Sequence, residues 1–192
     1  MRPHSPPRYR IEGGKTCVDI RLRTAHQLFD GRDPAPFRER DLDEDAVEYI
    51  VGAIQELPPR APIKIVFWLA EEPSPQIPTE TVIEAVRVFF GYEVERFRLR
   101  LREHMRQGQI TLAVGLTAMT AFLLLGEMAL WLPAGTFREV LREGLVITGW
   151  VVMWRPIEVL LYDWRPLVRQ RRLCERVIEA EIVVQHGPGH DS

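Results

Sequence analysis

Hydrophobic and polar positions alternate with period two from Thr16 to Arg23. Val18, Ile20 and Leu22 fall on one side, and Asp19, Arg21 and Arg23 on the other. That is the pattern of a half-buried strand. Thr24–Phe29 predicts a short helical turn ended by Asp30-Gly31, and Pro34 and Pro36 keep Arg32–Arg40 as loop. The period then changes. Leu42, Ala46, Ile50, Ala53, Ile54 and Leu57 make one apolar stripe of a helix. Asp41 or Asp43 caps it, Glu44 and Asp45 suit its positive end, and Pro58-Pro59 stops it. Ile63–Ala70 is apolar on both faces and predicts a central strand. After a linker with Pro73, Pro75 and Pro78, a long helix starts near Thr79. Its stripe runs Val82, Val86, Phe90, Val94, Phe97, Leu101, Met105. Near the other end, Ile182, Val183 and Val184 within Ala180–Gln185 predict a third strand.

Between these parts the alternation vanishes. From Ile110 to Leu132 only Glu127 is formally charged. A helix rising ~1.5 Å per residue crosses the ~30 Å core of a bilayer over such a run. A second apolar run, Gly144–Tyr162, is interrupted by Arg155, Pro156 and Glu158. The expected fold is therefore an α+β membrane protein. A small cytoplasmic α/β domain of two or three strands is joined to an antiparallel two-helix transmembrane hairpin. The expected boundaries are a disordered start (1–10), the α/β domain (11–78) and an amphipathic juxtamembrane helix (79–108). The first span (109–132), an outer connector (133–143), the second span (144–162) and a C-terminal segment (163–192) with its strand near 180–185 follow.

Charge orients this hairpin. Net charge is only −2, but basic residues cluster. Arg96, Arg98, Arg100, Arg102 and Arg106 precede the first run, and Arg165, Arg169, Arg171, Arg172 and Arg176 follow the second. Arg138 and Arg142 in the connector are balanced by Glu139 and Glu143. Basic residues stay on the cytoplasmic side, so both termini are expected in the cytoplasm. Only Lys15 and Lys64 are lysines, which with many Pro and Ala suggests a GC-rich bacterial genome and an inner-membrane location. The start MRPHSPPRYR has no apolar h-region, so the first span is expected to act as the insertion signal. Cys17 and Cys174 both fall on the cytoplasmic side, which argues against a structural disulfide.

The polar residues inside the spans are the candidate site. Arg155 lies several residues within the second span, and Glu158, one turn on, is its expected partner. Glu127 falls near the outer interface, at the depth of Gly144, so Arg142 is its closer partner. Arg155, Glu158 and Glu127 make up the intramembrane polar group. The Arg155–Glu158 part is read either as a structural clamp or as an ion path or lipid-binding site, and Glu127 as a solvated or Arg-paired residue rather than a proton site. Ala113, Thr117 and Ala121 form a small-residue stripe on the first span. The simplest packing sets it against Gly144, Thr148, Arg155, Glu158 and Tyr162 of the second. The arginines flanking the spans (Arg96, Arg98, Arg100, Arg102, Arg106, Arg165, Arg169, Arg171, Arg172) form a collar suited to anionic head groups of the inner leaflet. Nucleic acid is not an expected partner, because acids are interspersed and the arginines sit at the membrane. The acidic run Glu39–Glu48 reads as helix capping plus a solvated face.

Catalytic signatures are not seen in the sequence. His4, His26, His104, His186 and His190 lack metal-ligand spacing, and there is no phosphate-binding glycine loop, nucleophile elbow or HExxH. No cofactor is implied. The stretches DPAPFRERDLDEDAVEYIVGAIQELP and REGLVITGWVVMWRPIEVLLYDWRPL resemble uncharacterised bacterial membrane proteins with a small cytoplasmic domain and two transmembrane helices. The resemblance implies that architecture and no activity. The expected role is a non-enzymatic inner-membrane anchor or adapter presenting a cytoplasmic interaction domain, as a homo-oligomer or with a protein partner. The alternative is a subunit of an oligomeric small transporter or channel.

Overall fold

The computed structural model describes residues 9–70, 77–131 and 133–187. The Pro-rich start through residue 8, Pro73 and Pro75 of the linker, Leu132, and the tail after Gly187 lie outside the described residues. The chain divides into a sheet unit (1–96 with 170–192) and a hairpin unit (97–169).

The sheet unit carries four strands in the order β1-β2-β3-β4: β1 (Arg10–Glu12), β2 (Lys15–Leu22), β3 (Ile63–Leu69) and β4 (Glu181–His186). β1 pairs antiparallel with β2, while β2–β3 and β3–β4 are parallel. The expectation of two or three strands is one short, and the missed strand is β1. Three residues are too few to show a period. The legible signal was Gly13-Gly14, whose φ values of 58° and 77° form the tight turn between β1 and β2. Two consecutive positive φ angles are what a two-residue hairpin turn needs, and glycine alone adopts them freely. Strand structure thus begins at Arg10, inside the segment expected to be disordered.

α1 (Glu44–Glu56) crosses from β2 to β3. Its cap is Asp43, whose carboxylate accepts from the N–H groups of Asp45 (3.1 Å) and Ala46 (3.3 Å). Asp41 instead closes the preceding loop: its N–H donates to Asp33 Oδ2 at 2.8 Å and its carbonyl accepts from Asp30 N–H. The first turns of α2 (Thr79–Met128) and the last turns of α4 (Arg165–Glu179) complete the second crossover, from β3 to β4. Right-handed crossovers place both sets of helices on one face of the sheet. That face is the apolar one. Val18, Ile65, Phe67 and Ile182 meet Ile50 and Ile54 of α1, Val86 and Phe90 of α2 and Val177 of α4 in a core where none is more than 6% exposed. Each such side chain contributes about 1.5–3 kcal/mol by leaving water. Arg176 ties α4 to the end of α1, donating to the carbonyls of Ile54 (3.0 Å) and Pro58 (2.8 Å). Each carbonyl also accepts a backbone N–H, from Leu57 and Ala61 respectively, so the guanidinium adds a second bond to the turn that ends α1.

The hairpin unit is built from the rest of α2 and from α3 (Thr136–Leu161). α2 is one continuous 50-residue helix, followed by a 3-10 turn at Ala129–Trp131, so no break separates the amphipathic part from the apolar part. α3 starts eight residues before Gly144. Gly135 stands at its N-cap, and most of the expected connector is its first turns. Helical propensity of Phe137–Glu143 extends the helix past the apolar run, which marks only the part suited to lipid.

The two helices run antiparallel in a heptad-like register. A Cβ at Gly108 would meet Leu160, one at Gly115 would meet Pro156 and Met153, one at Gly149 would meet Met119 and Phe122, and one at Gly126 would meet Arg142. The inward line is therefore 108, 115, 119, 122, 126 against 142, 149, 153, 156, 160. The expected packing is overturned. Ala113, Thr117 and Ala121 are exposed, as are Gly144, Thr148, Arg155 and Tyr162, with Glu158 half-buried. Glycine brings the backbones closest, so the glycine line outcompetes the Ala/Thr stripe. The amphipathic stripe of α2 also departs from expectation at its end, for Met105 is exposed while Gly108 is buried. Steps of four residues rotate the stripe by about 40° each, and a three-residue step is needed to bring it back.

Candidate functional site

The hairpin unit shows its apolar side chains to the outside. Val114, Leu116, Leu124, Met128, Phe137, Ile147, Trp150 and Trp154 are all more than half exposed. Both long helices are long and apolar enough to cross a membrane, and only 11% and 17% of their most apolar windows are buried. Core helices of soluble proteins hide such windows, and an exposed apolar surface of this extent marks contact with lipid or protein. Four threonine hydroxyls in the apolar stretches ask for no outside partner. Thr111, Thr117, Thr120 and Thr148 each donate to the carbonyl four residues earlier, at 2.8, 2.9, 2.8 and 2.7 Å. A polar group satisfied within its own helix is the arrangement hydrocarbon demands.

The charged groups of the hairpin form two separate pairs. Arg155 Nη1 donates to Glu158 Oε2 at 3.1 Å, with the two side chains 69% and 45% exposed. Arg142 Nη2 lies 3.5 Å from Glu127 Oε1, at the opposite end of the apolar stretch. The structure therefore keeps Glu127 apart from Arg155 and Glu158 in register, as the antiparallel packing requires. Pro156 points into the α2–α3 contact rather than outward, which leaves Arg155 and Glu158 on another side of α3.

The arginines of the collar divide between the units. In the hairpin unit Arg98, Arg100, Arg102 and Arg106 lie on α2, and Arg165 and Arg169 on α4. All are exposed, with Arg100 over the Phe97 ring at 5.8 Å and Arg165 over Tyr162 at 5.1 Å. Because Gly108 faces Leu160, these six gather at one end of the hairpin. In the sheet unit Arg96 pairs with Glu93, Arg171 reaches Glu175 at 3.2 Å, and Arg172 is exposed.

A polar constellation that sequence reading missed sits on the sheet face opposite the core. Cross-strand register brings Arg10, Glu12, Lys15, Cys17, Asp19, Lys64, Trp68 and Glu181 to one face. Lys64, only 9% exposed, donates to Glu12 Oε1 at 2.9 Å and lies 4.0 Å from Glu181, which accepts from Lys15 at 2.6 Å. Trp68 Nε1 donates to Asp19 Oδ1 at 2.8 Å, and Arg10 reaches the same oxygen at 3.3 Å. The hydrogen bond from Lys64 holds the Glu12 carboxyl below its usual range, and that from Lys15 does the same for Glu181. The bond to Glu12 in turn raises the Lys64 ammonium. Each charged member has a partner of opposite charge, so the cluster is a stabilising network across strands. Burial raises both thiols, Cys174 to about 11, which makes them poor nucleophiles. Among the described residues no three His, Cys, Asp or Glu side chains are grouped to hold a metal ion. Comparison of the chain with protein-family models, with curated proteins and with solved structures finds no match.

Proposed function

We propose that this chain is a non-enzymatic anchor or adapter of a bacterial inner membrane. The α2–α3 hairpin crosses the bilayer, both termini lie in the cytoplasm, and the sheet unit is presented there to a protein partner or a further copy. The observation that carries this reading is the exposure of the hairpin's large apolar side chains over windows that are 11% and 17% buried. The six arginines at one end of the hairpin support the orientation, since each basic residue at an anionic leaflet adds about 1 kcal/mol of attraction. The sheet unit supports the adapter role. Its polar face is a closed charge network, and its chemistry is used up in holding strands together.

The test is extraction of membranes from cells expressing the full chain. Alkaline carbonate should leave the protein in the pellet, and mild detergent should release it. Release by carbonate alone would overturn the membrane reading. The transporter-subunit alternative draws on one observation, the exposed Arg155–Glu158 pair on a spanning helix.

A further inference from the structure

We propose that α3 packs against α3 of a second copy of this chain, with Arg155 of each copy bonded to Glu158 of the other. The inference rests on the membrane reading above and deepens it by naming the partner and the surface.

The argument starts from where α3 is already occupied. Gly149, Met153 and Pro156 turn toward α2 and are buried. Arg155, Thr148 and Tyr162 lie about a third of a turn away, on a line left exposed in the single chain. Ile147, Trp150, Trp154 and Leu161 occupy a third side, apolar and suited to lipid. The polar line also carries the exposed Val151, and its polar groups are ones that neither α2 nor hydrocarbon satisfies. An ion pair facing acyl chains is costly, because the intrahelical bond satisfies one edge of each group and leaves the rest without water.

A second copy supplies what is missing. Copies inserted by the same charge rule share one orientation, so a two-fold axis between them runs along the membrane normal. Equivalent residues then sit at equal depth. Arg155 and Glu158 are one turn apart, a rise of about 4.5 Å, which an arginine side chain spans. Around the axis the four groups form an alternating ring, Arg–Glu–Arg–Glu, in which each charge has an opposite neighbour in both copies. The surface is complementary to itself in charge. Thr148 and Gly144, toward the other end of the line, keep the helices close.

The experiment uses the full chain in native membranes. In an otherwise unchanged protein, Thr148→Cys should form a disulfide-linked dimer under copper–phenanthroline. Trp150→Cys, on the lipid side, should give at most a tenth of that yield. R155E and E158R, each added to Thr148→Cys, should cut the yield at least tenfold, since each places four like charges at the axis. Co-expressed with different tags, R155E and E158R should restore cross-linking between the tags and co-purify. Cross-links equal at Thr148→Cys and Trp150→Cys, or unaffected by R155E, would overturn the inference, and so would a mixed pair no better than the single variants. If both charge variants fail to insert, the comparison of Thr148→Cys with Trp150→Cys decides alone. A protein retained after carbonate but monomeric refutes this interface only, whereas release by carbonate refutes the membrane reading itself.

Discussion

Gly115 of α2 lies directly beneath Pro156 of α3, and a methyl group there would stand 2.9 Å from the proline Cγ. The relationship explains how a proline is accommodated inside α3. The ring cannot rotate away, so the facing helix must have no side chain at that point. Gly115→Val should therefore weaken the hairpin by about 1–3 kcal/mol, the usual range for overpacking. Gly108→Val should cost less. Its near neighbour is Leu160 Cδ2 at 2.8 Å, the free end of a side chain that can change rotamer. Melting temperatures of the two variants in one detergent check the order. Equal losses would mean the proline contact is not the tighter constraint.

Arg176 closes the core from the C-terminal side by binding the carbonyls of Ile54 and Pro58. Arg176→Met keeps most of the apolar stem and removes both bonds. A loss of roughly 1.5–3 kcal/mol is expected, since the donor is charged and makes two bonds. Denaturant unfolding of the full chain, followed by Trp68 fluorescence with the other four tryptophans replaced by phenylalanine, measures it. A change under half a kcal/mol would show that water replaces the guanidinium at those carbonyls.

β4 is drawn from the far end of the chain and pairs in parallel with β3 from Lys64↔Glu181 to Leu69↔His186. Ending the chain after Glu179 removes β4 and bares one edge of the central strand. Protease digestion of the sheet unit should accelerate sharply, because Ile65 and Phe67 lose the cover of Ile182 and Val184. Digestion at the wild-type rate would mean that β2, β3 and the helices are stable without it.

The pH dependence follows from the groups on the sheet. Glu12 and Glu181 have folded pKa values below 4.5, so their stabilisation holds above that pH and is lost as pH falls through the folded values. Cys174 is raised from 9.0 to about 11 and Lys64 is raised above 10.5. Stability from each is whole below its unfolded value and is lost as pH rises through its folded one. A plateau between pH 4.5 and 9.0 is expected, with the alkaline decline beginning in the window of the two raised thiols, Cys17 and Cys174. Cys174→Ala should flatten the slope from pH 9.0 to about 11, and Glu12→Gln should soften the acid limb. Melting temperature against pH for the three proteins checks both. An unchanged alkaline slope in Cys174→Ala would assign that limb to other groups.

Topology is read best from introduced cysteines. Cys17 and Cys174 are 1% and 4% exposed, so they stay silent toward a polar thiol reagent on either side of the membrane. Gly135→Cys, at the start of α3, should be labelled on intact spheroplasts. Arg172→Cys, exposed on α4, should be labelled only after permeabilisation. The reverse pattern would invert the hairpin.

Much of the architecture was legible without coordinates because it depends on local chemistry. Period two in Val18–Leu22, the stripe Ile50–Ile54–Leu57, and the uncharged length of Ile110–Gly126 each reflect the solvent a segment must face. The Arg155–Glu158 and Arg142–Glu127 pairings were readable from helical spacing and depth. What tertiary structure decided was the choice among surfaces that the sequence leaves equivalent. Ala113–Thr117–Ala121 and Gly108–Gly115–Gly126 are both small-residue lines on one helix. Which of them faces α3 is settled by close approach of the two backbones, with Leu160 at Gly108, Pro156 and Met153 at Gly115 and Arg142 at Gly126. The same holds for the sheet. Lys64, Glu12 and Glu181 are scattered along the chain, and only the register of three strand pairs makes them one network. Solvent preference is a property of each segment alone, whereas complementarity is a property of two, and it exists only once the fold has brought them together.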